Sequence, residues 1–516
     1  MSEAGKKPNI LVICSDQHHP LFSGYRGHAF VKTPTLDRLA GEGTHFSRAY
    51  CNSPVCTPSR MSFITGKYVH QIDNWHIGVP LDPHEMTWPR RLERAGIPST
   101  MLGKMDFCGP YQDGGFTDYK ILKKRGAWSV YPRKTPFAAR LRGYTRPDKR
   151  RHLLNAGIRE TPADGHHSPD DRYGFYDHDR TVTDWAVEYL QQKGQARGKT
   201  PWALYVGLLF PHWPYCVPKK YFEMYHPGKL ELPNDASFPN EKLHPALRHF
   251  QQALDLGEVT DDMLRRTIAA YQGMISCMDD MIGEILEELA TQGLADNTYI
   301  IYTTDHGESL GEHGLFYKQC SYEGSVGVPL IMKGPGIPAA KKINEPVTLV
   351  DLYPTVLDIA GLNTEPDRPG NSLLPLARGQ ELDRPGRDRP GHERQQFAFS
   401  EYHGNFFRHD WYMLVMGDYK YTYYAKERPS LFNLRLDPRE NSDLGQDPQY
   451  AAMLEDFESL LRTVTDPDAV SLRAKQQLGL IGPNGEDYTE TLSVSELVDG
   501  RKRGDFLPEP GHTRQE

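Results

Sequence analysis

The 516-residue sequence predicts an α/β fold, a large and mostly parallel sheet sandwiched by helices, with a smaller C-terminal antiparallel-sheet module. Two observations predict it. Short apolar runs of β type alternate with helical patterns, the signature of a parallel sheet covered on both faces. Several of those runs stop at polar or ionisable residues, as buried strands do when they feed loops. The length agrees, being too great for one small core.

The elements follow in order. Asn9–Ser15 (NILVICS) is the first strand-like run and ends at Asp16. Ala203–Phe210 (ALYVGLLF) is a second and ends at Pro211-His212. Thr298–Thr304 (TYIIYTT) is a third, ending at Asp305-His306, and Val328–Met332 is a fourth. Helical patterns cover Pro34–Glu42, Pro58–Thr65, Pro89–Ala95, Asp179–Lys193 and Asp261–Leu289. In open α/β sheets ligands collect at the carboxyl ends of the strands, so these polar tips define one expected site. Residues 1–363 are read as the main domain. Within it, 108–178 is rich in Gly, Pro, Tyr, Arg and His, and reads as a substrate-selecting insertion. Residues 364–395 read as a Pro/Arg/Gly/Asp-rich linker. Residues 396–470 read as the small-sheet module, with a hairpin around Met416-Gly417-Asp418 and a helix near 449–464. Residues 471–516 read as an extended tail.

Composition narrows the class. With 38% hydrophobic and 25% charged residues, the chain is ordinary for a folded soluble protein. A net charge of −8 argues against nucleic-acid or anionic-membrane partners. The opening MSEAGKKPNILVICSDQ does not read as a secretory signal, and no stretch is long and apolar enough to span a bilayer. A cytoplasmic location is expected. Seven scattered cysteines, without a CxxC pair, argue against a disulfide scaffold or a structural zinc site.

Asp16, Asp305 and His306, all at strand tips, suit a divalent cation. Carboxylates fit Ca²⁺, Mg²⁺ or Mn²⁺, and a His ligand tilts the choice toward Mn²⁺. The plainer readings are a turn cap for Asp16 and a loop carboxylate for Asp305. In AYCNSPVCTPSR, Pro58 fits a first helical turn, placing Cys56 just before a helix N-terminus with free N–H groups. Arg60 is close enough to turn back toward it. An ordinary thiol, or the nucleophile of a Cys–His hydrolase, fits the same residues.

CTPSR also resembles the C-x-P-S-R signature of the sulfatase family, within the alkaline-phosphatase-like superfamily. PNILVICSDQ, LGKM, FPHWP and TTDHGESLGEHGLFYK match that family in order, and LFNLRLDPRENSDL resembles its C-terminal module. AYCNSPVCTPSR, GKMDFCGP and GLFYKQCSYEGSVGVPLI look closest to choline-sulfatase-like and phosphonate-monoester-hydrolase-like members. The resemblance implies that a modifying enzyme converts Cys56 to formylglycine (3-oxoalanine), whose hydrate is the nucleophile. It implies one divalent metal, calcium or manganese, held by Asp16, Asp305, His306 and the modified Cys56. Arg60 would hold the diol and the metal-side charge. Lys104 and Lys318 would hold sulfate oxygens, His212 would stand at the leaving group, and Asn74 would be a further oxygen contact.

The chemistry accounts for these residue types. Sulfate monoesters are inert, and the cation and three basic side chains match the charge spread over the sulfuryl oxygens. A protonated His or Lys can protonate the departing alkoxide. Three positions depart from the family pattern. Gln17 stands where many members carry a second aspartate, His306 where many carry Asn, and Asp106 where the family's Lys-x-His places its His. Asp106 would face a cationic group, pair with Lys104 or Arg60, or point away.

Other residues have plain readings. His18 and His19 are expected as solvated loop histidines, and His166-His167 as surface. Glu312-His313 is expected behind the site rather than in it, and the basic clusters 150–152 and 501–503 as solvated charge. Trp75 and Trp128 are expected to pack rather than form a cation box. The expected function is hydrolysis of aryl or alkyl sulfate monoesters. A phosphonate or phosphate ester hydrolase is the rival on the same scaffold, and a non-catalytic sulfate-ester-binding protein with unmodified Cys56 the rival of another class. The expected partners are a small-molecule sulfate ester, the modifying enzyme and, through the tail, further copies of the chain.

Overall fold

The computed structural model describes residues 7–77, 79–108, 111–122, 158, 161, 174–196, 200–228, 230, 232–233, 242–254, 256, 259–380, 397–404, 408–482 and 484–491. Its larger sheet holds nine strands: β1 (Asn9–Ser15), β2 (Thr44–Tyr50), β3 (Ser99–Gly103), β4 (Asp118–Lys120), β5 (Ala203–Gly207), β6 (Thr298–Thr304), β7 (Gly327–Lys333), β8 (Lys341–Ile343) and β9 (Val347–Thr348). The order is β4-β3-β5-β1-β6-β7-β2-β8, with β9 also on β2. Only β7 runs antiparallel to its neighbours β6 and β2, so the sheet is mostly parallel. Every residue of β1, β3, β5 and β6 is buried. A strand is buried throughout only when helices cover both faces, which is why these segments read as unbroken apolar runs.

Two helix groups supply that cover. Phe175–Gln195, Asp261–Thr291 and Pro34–Gly41 form one, and Cys56–Thr65, Trp88–Arg94 and Leu352–Ile359 the other. The 31-residue helix Asp261–Thr291 starts at Thr260, whose side chain accepts from Met263 N–H, an N-cap bond. Its Tyr271 hydroxyl reaches the tip of β1, donating to the Gln17 carbonyl (2.6 Å) and accepting from His19 N–H (2.8 Å).

The second sheet is antiparallel: β10 (Phe397–Tyr402), β11 (Trp411–Met416), β12 (Tyr419–Tyr424) and β13 (Glu427–Asn433), in that order. The expected hairpin is the β11–β12 turn, where Gly417 takes the left-handed φ of 55° that glycine tolerates best. Asn52, just upstream of Cys56, donates from its side chain to the Phe399 carbonyl (2.8 Å) and accepts Glu401 N–H on its own carbonyl (3.0 Å). The small sheet therefore sits directly behind the Cys56 loop.

Two boundaries need correction. The extended tail does not begin at 471. Helix Pro467–Gln477 crosses that point, and Ala474, Leu478 and Leu480 are buried with Tyr412, Leu414 and Tyr421 of the small sheet. The proposed linker 364–395 contains a short helix, Leu374–Ala377, whose Leu374, Leu376 and Ala377 are buried. Residues 381–396 and 492–516 lie outside the described residues, as does most of the 108–178 insertion. Its described parts include β4 and the start of helix Phe175–Gln195. Among the described residues no helix is long and apolar enough to cross a membrane, and Cys14, Cys51, Cys56, Cys277 and Cys320 are buried free thiols.

Candidate active site

Register alone brings the first two groups together. β1 and β6 pair in parallel as far as Ser15 and Thr304, so Asp16 and Asp305 leave the sheet side by side. β3 and β5 end in register at Gly103 and Gly207, and Lys104 follows. That approach needs glycine. A Cβ on Gly207 would lie 1.9 Å from the Lys104 carbonyl oxygen, and Gly103 has φ +83° with Gly207 O 2.2 Å from where its own Cβ would be.

Cys56 is the first residue of helix Cys56–Thr65, with extended Val55 as N-cap. This corrects the expected start at Pro58, which occupies the third helical position. The first three N–H groups of a helix lack internal partners, so proline costs nothing there either. Ser59 locks the helix to the sheet by donating to the Asp305 carbonyl (2.5 Å).

Among the described residues one group of potential ligands assembles. Asp16, Cys56, Asp305 and His306 are all buried, and their donor atoms lie within 4.8 Å of one another. Cys56 Sγ is 3.3 Å from His306 Nε2 and 3.8 Å from Asp16 Oδ1. His306 Nδ1 lies 3.0 Å from the Gly307 carbonyl. A carbonyl only accepts, so Nδ1 carries the proton and Nε2 presents its lone pair to the cluster. Burial holds His306 down at about 4, a neutral ligand at physiological pH. Burial would raise the Asp16 carboxyl, but the charges of Lys104, His212, Lys318 and Arg60 outweigh it and hold it well below the ordinary range.

Three cations surround this pair of carboxylates. Arg60 is fully buried and donates to Asp305 Oδ2 (2.7 Å), the Ser15 carbonyl (3.0 Å), the Lys104 carbonyl (2.9 Å) and the Tyr205 hydroxyl (2.8 Å). It ties the tips of β1, β3 and β6 to a side chain from the middle of β5 and reaches Asp16 Oδ2 at 3.8 Å, so it lies behind the carboxylates instead of turning back to Cys56. Lys104 Nζ bridges Asp16 and Asp106, the latter at 3.1 Å. Asp106 is thus the partner of Lys104, held by a left-handed backbone (φ 61°). Lys318 Nζ donates to Gln17 Oε1 (2.6 Å) and lies 3.5 Å from Cys56 Sγ. His212 stacks on Trp213 (5.5 Å between centroids) and is near enough to bear on the charge of Asp16.

Two ionised carboxylates, a neutral imidazole with a free lone pair and a dry setting form a donor set that suits one divalent cation. With such an ion present, the carboxylates are neutralised, and Lys104, Lys318 and Arg60 leave a net positive field. That field favours an anion at Cys56.

Asn74 is not brought into this group. It is buried, its side-chain N–H donates to the Val79 carbonyl (2.8 Å), and no hydrogen bond joins it to the cluster. His18 is not solvated but buried, with its nitrogens on the Tyr302 hydroxyl (2.7 Å) and the Phe22 carbonyl (3.0 Å). His19 is buried too, with Glu312 3.5 Å from its Nε2, and Glu312 is not among the four residues of the cluster. Trp75 packs, its ring edge-on to His403 (4.8 Å) and its N–H on Gln477 (2.8 Å). Trp128, His166-His167 and the clusters 150–152 and 501–503 lie outside the described residues. Glu308 and Gly207 carry none of the expected roles. The only sequence signal for Glu308 is its place three residues after Asp305.

Comparison with known proteins places the chain in a family. Residues 311–466 match the C-terminal family described as N-sulphoglucosamine sulphohydrolase. Arylsulfatase K of Danio rerio is 30% identical over 482 residues, covering 90% of this chain and 85% of that protein. Choline-sulfatase of Rhizobium meliloti (strain 1021) is 28% identical over 448 residues, covering 86% and 83%. The phosphonate monoester hydrolase from Silicibacter pomeroyi shares the fold at a TM-score of 0.70 and 23% identity, covering 94% and 97%. A structure solved with its substrate D-glucosamine-2-N,6-O-disulfate shares it at 0.70 and 20%, covering 90% and 99%. Residues 8–362, which carry every member of the ligand cluster and its three cations, match the family described as Sulfatase, and the chain belongs to that family of sulfuric ester hydrolases.

Proposed function

We propose that the chain hydrolyses sulfate monoesters with Cys56, converted to formylglycine, as nucleophile and one divalent cation held by Asp16, Asp305 and His306. The observation that carries this is the position of Cys56 Sγ, inside the carboxylate–imidazole cluster and 3.5 Å from Lys318 Nζ. As formylglycine, position 56 would supply a hydrated aldehyde, one hydroxyl of which could displace the alcohol at sulfur, while loss of a proton from the other would expel sulfate and restore the aldehyde. The cation supplies charge that polarises the sulfuryl oxygens.

The remaining work falls to the chain's own groups. Asp16 and Asp305 accept the cation as ionised carboxylates, and His306 presents Nε2 with its tautomer fixed by Gly307. Lys318 and Lys104 meet the sulfuryl oxygens, and Arg60 holds the two strand tips at fixed separation. His212 stands at the leaving-group side, where a proton for the departing alkoxide is needed. A cavity lined by Lys104, Met105, Asp106, Phe107 and His178 opens beside Lys104 and takes the alcohol half.

The unmodified thiol is a poor alternative. Burial and the Asp16 carboxylate push Cys56 up to about 11 against the pull of Lys104 and Lys318, so little thiolate exists at neutral pH. With His306 neutral as well, a thiolate–imidazolium pair does not form. The cytoplasm is proposed as the compartment, because the buried thiols of Cys14, Cys51, Cys56, Cys277 and Cys320 suit a reducing one.

Intact-protein mass spectrometry of the chain made in a host with the modifying enzyme tests the nucleophile. A retained thiol at position 56 would instead favour a binding protein. The ratio of kcat/KM for 4-nitrophenyl sulfate to that for a phenyl phosphonate monoester tests the substrate class, and a large phosphonate preference would overturn it.

A further inference from the structure

Glu308 is fully buried and touches none of the four cluster ligands, yet it accepts four hydrogen bonds. Its Oε1 takes the backbone N–H of Leu310 (2.8 Å) and of Tyr317 (2.5 Å). Its Oε2 takes the Tyr215 hydroxyl (3.0 Å) and the side-chain N–H of Gln17. The two backbone donors close the loop that ends at Lys318. The Gln17 bond decides which end of that amide faces the site. With its nitrogen held by Glu308, Gln17 turns its oxygen to Lys318 Nζ (2.6 Å).

We propose that Glu308 is a positioning residue that fixes both partners of the Lys318–Gln17 hydrogen bond, and so delivers Lys318 to Cys56; this rests on the sulfatase reading above. The loop needs such a fastener. Leu310, His313, Tyr317 and Gln319 all adopt left-handed backbone (φ 45°, 54°, 67° and 85°), unfavourable for non-glycine residues unless the surroundings over-determine it. Gln17 is left-handed as well (φ 67°). A carboxylate meets four donors with two acceptor oxygens. An amide has one oxygen and one NH₂, so in Glu308→Gln one donor pair faces a donor. If the NH₂ faces the backbone pair, the loop is released. If it faces Gln17, that amide flips and turns its own NH₂ toward the Lys318 ammonium. Either way Lys318 loses its setting.

The test compares the full-length wild type, Glu308→Gln, Gln17→Ala, the double variant and Glu308→Asp, each modified at Cys56. Two readouts are taken: kcat/KM for 4-nitrophenyl sulfate and the affinity for inorganic sulfate by calorimetry, with Tm measured alongside. Glu308→Gln is expected to lower kcat/KM by about 10- to 100-fold and sulfate affinity by about tenfold. The double variant is expected to lose at least about fivefold less than the product of the single losses, because Glu308 acts partly through Gln17. Multiplicative losses overturn the proposal, as does a Glu308→Gln protein with lowered Tm but unchanged kcat/KM and sulfate affinity. Should Glu308→Gln not fold, Glu308→Asp carries the test: it keeps the charge but withdraws the carboxylate, and unchanged values in both readouts overturn the proposal. A wild type that binds sulfate but does not turn over the ester would sink the hydrolase reading alone, since sulfate affinity still decides the role of Glu308.

Discussion

The two halves of the site are built differently. Asp16, Asp305 and His306 sit one or two residues beyond adjacent, fully buried parallel strands, and ladder register places them. Cys56 and Lys318 come from a helix start and an irregular loop, where no ladder fixes position. There the small sheet and side-chain bonds do the work. Trp411 donates its indole N–H to the Gln319 carbonyl (2.9 Å), Tyr424 and Ser321 pair through their hydroxyls (3.0 Å), and buried Lys420 binds Glu323 (3.1 Å) and Glu440 (2.6 Å). In the proposed reading, strand tips hold the cation with rigid geometry, while the groups that meet the substrate depend on braces from outside the main sheet. Substitutions in the first half should therefore act on cation binding. Substitutions in the second should act on turnover, by amounts set by how directly they touch the braced residue.

The largest effect is expected from removing the proposed nucleophile. Cys56→Ala should lower kcat for an aryl sulfate at least about 10³-fold with little change in Tm, since only one buried sulfur is lost. A variant that retained a tenth of the activity would break the account of the loop half. Next, His306→Ala should cost about 10²- to 10³-fold, and loss of the bound ion should be visible by elemental analysis. A chelator should reproduce the loss in the wild type. Gly207→Ala probes the strand-tip half without touching a ligand. Its Cβ would meet the Lys104 carbonyl at 1.9 Å, so stability should fall by about 2–3 kcal/mol and kcat by about tenfold, checked by denaturant titration and kinetics. Trp411→Phe deletes one brace. A loss of about 1 kcal/mol and a change in kcat of about threefold are expected, with the bound ion retained.

The smallest effect is a pH dependence confined to the small-sheet side. His403 lies between Glu401 (2.9 Å) and Asp410 (3.4 Å). Burial would lower it, but bonds to both carboxylates raise it from 6.5 to about 9. A raised imidazole stabilises the fold fully below its unfolded value, and that contribution is lost as pH rises through about 9. Glu401, held below the ordinary range because His70 and His403 outweigh its burial, contributes in the opposite sense and loses its share only on acidification. Tm should therefore decline between about pH 6.5 and 9 in the wild type, and His403→Gln should flatten that decline while leaving the cation site intact.

Much of this was legible in the sequence for a physical reason. Central parallel strands must be apolar along their whole length, so β1, β5, β6 and β7 stand out, and the ionisable residues that interrupt them mark the ligand end. Asp16, Asp305 and His306 follow from that, and Cys56, Lys104, Lys318 and His212 from the motif resemblance. Strands such as β2 (THFSRAY) and β4 (DYK), partly exposed or at the sheet edge, carry no such run and were not foreseen. Asn74 was expected at the site on its motif context alone, and its hydrogen bond goes elsewhere.

Composition and local pattern thus determined the layered sheet, the strand tips that carry charge and the candidate cation ligands, because burial and register act through residues near in sequence. Only the tertiary structure decided that Arg60 lies behind the carboxylates, that Asp106 pairs with Lys104, that His18 is buried and that Glu308 organises the Lys318 loop. Each of these is a choice of partner in a dry interior among several within reach; for Arg60 with Asp305, His18 with Tyr302 and Glu308 with Gln17 the partner stands hundreds of residues away along the chain, and for Asp106 it is the near neighbour Lys104.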